Sequence, residues 1–179
     1  MPLSYCSNVF PARTVDEIAG GIDRYTLPIR DRIGQPMSIG LWLPHSVIQE
    51  LTESPDGVTR FVETLSARNL PCYTLNAFPY GDFHGERVKE QVYLPDWASE
   101  KRQAYTERCA EILAAFLPSG VEGSISTVPL GFKGAEQSAD FEEASIKRLI
   151  DTAVRLDRLK QETGRLIRLA IEPEPLCWL

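Results

Sequence analysis

Residues 72–79, CYTLNAFP, have the two-residue period of a β-strand: Cys72, Thr74, Asn76 and Phe78 alternate with Tyr73, Leu75 and Ala77. The run is short for a helix and stops at a proline. Proline has no N–H to give to a ladder, so it belongs where a strand leaves its sheet. The same design recurs as SYCSNVFP from Ser4, SIGLWLP from Ser38, SISTVPLG from Ser124 and IRLAIEPEP from Ile167. Pro11, Pro44, Pro129 and Pro173 stand where Pro79 stands in the first example. Five strands that exit alike are expected.

Between them lie helical patterns. Thr14-Val-Asp-Glu17 and Ser46-Val-Ile-Gln49 both fit a capping box, in which the first and fourth side chains satisfy free backbone N–H groups. From Asp96 to Leu117, Tyr105, Cys109, Ile112, Leu113 and Phe116 recur at three- and four-residue spacing. From Asp140 to Thr163, Leu149, Ile150, Ala153, Leu156 and Leu159 do the same, with Gly164 placed for a C-terminal cap. Pro55-Asp56-Gly57 divides the segment between Ser46 and Asn69 into two helices.

The order is therefore β-α-β-α-β-α-β-α-β over one domain, residues 1–179, with no low-complexity linker. Such alternation implies a parallel sheet with right-handed crossovers. An open doubly wound sheet would favour a glycine-rich turn after the first strand, and SNVFPARTVDE has no glycine. The strand starts are separated by 34, 34, 52 and 43 residues. Eight such units would need about 330 residues, within the range of (β/α)8 barrels. The expectation is a partial TIM barrel: five parallel strands in order 1-2-3-4-5, helices on the outer face, and the C-terminal strands missing.

Composition narrows the function classes. The chain carries 19 Lys and Arg against 25 Asp and Glu, a net charge of −6, where a nucleic-acid binder usually shows a basic surplus. No apolar run is long enough to cross a membrane, and the start has no signal-peptide pattern. The four cysteines form no CxxC pair and read as reduced and mostly buried. A cytoplasmic protein without nucleic-acid partner or membrane insertion is expected.

In α/β barrels the chemistry sits at the C-terminal ends of the strands. In the last strand Ile167, Leu169 and Ile171 make one face, leaving Arg168, Ala170 and Glu172 on the other, so Glu172 points into the mouth or else stands solvated at the strand end. Asn76 reaches the mouth in the third strand, as a candidate catalytic group. The long loop that follows, PYGDFHGERVKEQVYLPDW, mixes Tyr80, Phe83, His84, Tyr93 and Trp97 with Asp82, Glu86, Arg87 and Lys89. That mixture suggests an ordered lid, or else a surface loop packed on its own aromatics. His84 could ligate a metal or shuttle a proton, or else be a plain surface side chain, as a lone loop histidine more often is. His45 reads as a cap or a solvated side chain, and Lys133 as a solvated lysine. No HExxH, GxSxG or Walker-type motif is present.

Taken together, SYCSNVFP, NAFPYGDFHGERVKEQVYLPDW, VEGSISTVPLGFK and LAIEPEP resemble the metabolite-traffic family known as EboE, within the xylose-isomerase-like TIM-barrel superfamily. The resemblance covers nearly the whole chain, as the N-terminal portion of such a barrel. It implies a divalent metal (Mn, Mg or Zn) in the full-length protein, with Glu172 and His84 as ligands and His84 also as a catalytic imidazole, beside the Asn76 that strand parity offers. It further implies a small-molecule metabolite as substrate, polyhydroxylated or prenyl-linked, and a link to a UbiA-like prenyltransferase pathway. The reaction implied is that of a metal-dependent isomerase or epimerase; the alternative is a metabolite-binding or handover protein that keeps the barrel without turnover. One departure is Phe10, which stands where relatives tend to carry a histidine.

Overall fold

The computed structural model describes residues 3–81, 83–84 and 91–179. Five parallel strands form one sheet: β1 (Leu3–Cys6), β2 (Met37–Trp42), β3 (Cys72–Asn76), β4 (Gly123–Thr127) and β6 (Ile167–Ile171). Each after the first pairs with the one before it in this series, so the spatial order of these five is their sequence order. The strands occupy the five stretches read from the sequence. A short antiparallel pair, β5 (Gly131–Phe132) with β7 (Cys177–Trp178), was not expected. Pro173 and Pro175 do end the long strand, but Leu176 then takes a φ of 62° and turns the chain back.

One face of the sheet is apolar and the other small and polar. Ile39, Leu41, Leu75, Ile125 and Ile167 lie in one core with the helices. On the opposite face Ser4, Ser38, Thr74, Ser124 and Arg168 line an open cavity of about 660 Å³. The alternation follows from the pleat: every second side chain points the same way. Burying the aliphatic half against helices leaves the hydroxyl half on the other side.

The first crossover is built from three helical pieces: α1 (Val15–Gly21), a wide π turn (Ile22–Thr26) and α2 (Leu27–Ile33). Buried Ile18, Ile22 and Thr26 follow one another at four-residue steps. An ordinary helix would rotate such a row away from the sheet, and the wider turn reduces that drift. Only half of the first capping box forms. Thr14 accepts from the N–H of Glu17, while the Glu17 carboxylate accepts from Arg13.

Helix α3 (His45–Glu53) begins one residue before the expected box, with Pro44 as its cap. Ser46 is not the cap; its hydroxyl donates to the carbonyl of Arg13. Helix α4 (Gly57–Ala67) follows after the Pro55-Asp56-Gly57 break. Helix α5 (Glu100–Phe116) buries Tyr105, Cys109, Ile112 and Leu113 as read from the sequence. Helix α6 (Phe141–Thr163) ends at Gly164 with φ 70°, the left-handed cap expected there. Its apolar face departs from expectation: Leu156 and Leu159 are buried, but Ile150 and Ala153 are exposed.

Candidate functional site

The C-terminal ends of β1, β2 and β3 are tied together by polar contacts between segments far apart in sequence. Buried Ser7 accepts from the backbone N–H of Trp42 at 2.8 Å, joining the ends of β1 and β2. The Trp42 indole is fully buried and donates to the carbonyl of Pro79 at 3.0 Å, joining β2 to the loop after β3. Phe83 meets Trp42 edge-on with centroids 4.9 Å apart, and His84 lies against both rings. His84 Nε2 is 3.0 Å from the carbonyl oxygen of Asn8, to which it donates. An exposed imidazole is thus fixed above the end of the sheet, between β1 and β2.

The near end of the loop rests on a second set of contacts. His45 stacks on Tyr80 at 4.6 Å, and its backbone N–H donates to the carbonyl of Tyr80. The Tyr105 hydroxyl lies 2.8 Å from the Leu43 carbonyl and 3.1 Å from that of Pro79. Arg102, fully buried, donates from Nε to Pro95 O at 2.7 Å and from Nη1 to Ala77 O at 2.6 Å. Those two carbonyls lie near opposite ends of the long loop, so one guanidinium holds both. Among the described residues its Nη2 has no hydrogen-bond partner.

The far end of the loop is apolar. Trp97 is fully buried with Phe78, Val128, Leu130 and Phe141, and Tyr93 stacks on Phe132 at 5.5 Å. The described parts of the loop are therefore tied down by hydrogen bonds and apolar packing, as a lid or a surface loop packed on its own aromatics would be. Asp82, Glu86, Arg87 and Lys89 lie outside the described residues.

Burial sets the charges here. It pushes the Arg102 guanidinium below its usual range and the Tyr105 phenol well above its own. Tyr80 is also raised by burial, with Arg102 opposing. Burial lowers His45, and the cations Arg108 and Lys101 lower it further. His45 is thus a half-buried, stacked neutral imidazole, neither a cap nor a solvated side chain.

The remaining sequence candidates are placed as follows. The Asn76 carboxamide oxygen accepts from the N–H of Phe78 at 2.8 Å, so it caps its own turn. Glu172 is half-buried one residue past β6, and its N–H donates to Thr127 O at 3.0 Å. Strand alternation carries it to the face of Arg168. Glu174, also half-buried, lies close enough to Tyr93 and Cys177 to act on both electrostatically. Phe10 is a core residue stacked on Tyr25 at 5.6 Å, turned into the helix layer. Lys133 is exposed, its ammonium 5.2 Å from the Trp178 ring. Among the described residues, no three His, Cys, Asp or Glu side chains converge as metal ligands would.

Compared with protein-family models and with curated proteins, the chain matches none. Among the described residues no helix is long and apolar enough to cross a membrane. Sequence reasoning missed Ser7, Trp42, Arg102 and Tyr105 as organisers of the mouth. One signal was present: Arg102 sits three residues before Tyr105, on the face of α5 that the apolar period turns inward.

Proposed function

We propose that the five strands are the first part of a (β/α)8 barrel of the xylose-isomerase-like class, of EboE type, whose C-terminal mouth takes a small polyhydroxylated or prenyl-linked metabolite. Sequential strand order and the one-sided apolar face support the barrel. The seat of His84 carries the functional reading: a loop residue is brought back over β1 and β2 and held on a buried indole. Polar atoms fixed at a strand-end mouth are what a small metabolite needs for orientation.

The reaction class is isomerase- or epimerase-like, with proton transfer next to a carbonyl. A divalent ion, Mn, Mg or Zn, would polarise that carbonyl oxygen. Glu172 and His84 are the ligands this chain offers, and two fall short of the three or more such a centre takes. The described residues alone do not make that centre. Their own part is binding: Phe83 walls the mouth over the buried Trp42, Arg102 and Tyr105 hold its loop, and His84 meets the ligand.

A handover protein without turnover is the second reading. It is favoured by Asn76, whose carboxamide oxygen is committed to its own turn rather than offered to a substrate. Either role suits a pathway containing a UbiA-like prenyltransferase.

Calorimetric titration with Mn²⁺ tests the site. Weak binding is expected, lost in Glu172→Gln and in His84→Ala and kept in Glu174→Gln. Tight stoichiometric binding would contradict the two-ligand account, and equal behaviour of the two glutamate variants would remove Glu172 from the site. Incubation with aldose and ketose probes in D₂O separates the two readings. Deuterium appearing next to the carbonyl means turnover, and binding without exchange means handover.

A further inference from the structure

The 23-residue helix α6 has two apolar sides where one is enough to hold it on the sheet. Phe141, Leu156 and Leu159 are buried on the inner side. Arg148 and Arg155 reach across to Glu100 and Glu111 of α5. Roughly opposite those arginines, Ile146, Ile150 and Val154 are 45%, 58% and 46% exposed at four-residue spacing. Three branched aliphatic side chains in a row on a solvent-facing flank are what a helix–helix seam needs and what a solvated face does without. A groove of about 600 Å³ runs along the first two of them.

The charges beside the first two residues of this stripe are mostly acidic, while exposed Arg158 follows Val154 by one turn. Asp140, Glu142, Glu143 and Asp151 line the groove, and its single cation, Lys147, is bound to Asp151 at 2.7 Å. The α5 side differs, because there the acids of α5 meet the arginines of α6. A copy of α6 laid on this flank would set acid against acid. The complementary surface is apolar with a basic border.

We propose that this flank of α6 docks a basic amphipathic helix of another polypeptide, its apolar stripe on Ile146, Ile150 and Val154 and its Lys or Arg residues beside Glu142 and Glu143. The inference is independent of the metabolite site, which lies at the strand ends, and of the helix a continuing barrel would add beside β6. At about 100° per residue that helix falls on the Leu149 and Ala153 flank and leaves Ile150 and Val154 outward.

The probe is a fluorescein-labelled synthetic helix with leucines at heptad a and d positions and lysines and arginines beside them. Fluorescence anisotropy with the 179-residue chain should show binding that weakens as salt rises. Ile150→Glu and the pair Glu142→Lys, Glu143→Lys should each weaken it about tenfold or more, while Glu63→Lys on α4 leaves it unchanged. Circular dichroism checks that each variant is folded; if Ile150→Glu is not, Ile146→Glu takes its place. The proposal is overturned if a peptide with glutamates beside the leucines binds as well, or if Ile150→Glu binds like the parent. A dimer in sedimentation that Ile150→Glu dissolves would also overturn it, since the occupant would then be a second copy.

Discussion

Arg102 is a buried cation with no ion pair among the described residues, held by carbonyl oxygens and by the faces of Tyr80 and Tyr105. Burying a guanidinium is costly, and removing it would leave the carbonyls of Ala77 and Pro95 without their donor. The second cost should outweigh the first, because both carbonyls belong to a loop that cannot turn to water without releasing Trp97. Arg102→Met should therefore destabilise the chain by about 2 kcal/mol in urea unfolding. Arg102→Lys should be no better, since one ammonium does not span both oxygens. His45 gives a pH dependence of defined sign. Its folded pKa lies below the unfolded value of about 6.5, so the unfolded chain binds more protons between the two. The stability it contributes is complete above the unfolded value and is lost as pH falls toward the folded one. Thermal unfolding from neutral to mildly acidic pH should show this slope, flattened in His45→Gln. At this scale the sequence was partly legible. Strand parity led to Glu172 and Asn76 at the strand ends, but whether Asn76 spends its oxygen on Phe78 depends on the turn after the strand. The bonds of Ser7, Trp42 and Arg102 join residues 25 to 37 positions apart, and no local period signals them.

The elements were read more securely, because each rests on a short-range pattern. The proline-ended strands, the break at Pro55-Asp56-Gly57 and the Gly164 cap all stand where chain chemistry put them. The π turn and the β5–β7 pair were not legible, since two-residue strands have no period to read. Glycines inside helices show how position decides the sign of one substitution. A Cβ at Gly20 of α1 meets nothing within 4 Å, so Gly20→Ala should stabilise by about 0.5–1 kcal/mol through a less free unfolded chain. At Gly57, where α4 starts against α3, the same atom would run into the backbone of Leu51. Backbone does not yield as a side chain would, so Gly57→Ala should cost about 1–3 kcal/mol. Paired denaturation curves check both, and equal shifts in one direction would contradict the packing described.

For the whole molecule, the strand order makes stability uneven. β2 is buried along its whole length between β1 and β3, whereas β1 and β6 each have a single neighbour in the sheet. Local opening should begin at those edges. Hydrogen exchange should protect the amides of β2 and β3 most and those of β1 and β6 least; uniform protection would mean that the edges are covered in solution. The alternating pattern of the chain was enough to expect a parallel sheet in sequence order, since it leaves few topologies open. The outward stripe of α6 was not foreseen, because a helical period counts apolar positions without saying which side of the helix the sheet will take.

Sequential pairing also bears on how the chain comes off the ribosome. Every strand of the large sheet docks on one that has already been synthesised, and none waits for a distant segment to open a gap for it. Growth can proceed one strand and helix at a time, each new unit covering the last free edge. The exception is β7, which must reach back to β5 across the whole of α6 and β6. The loop around Lys133 should thus close later than the strands that flank it, only after Trp178 has cleared the exit tunnel.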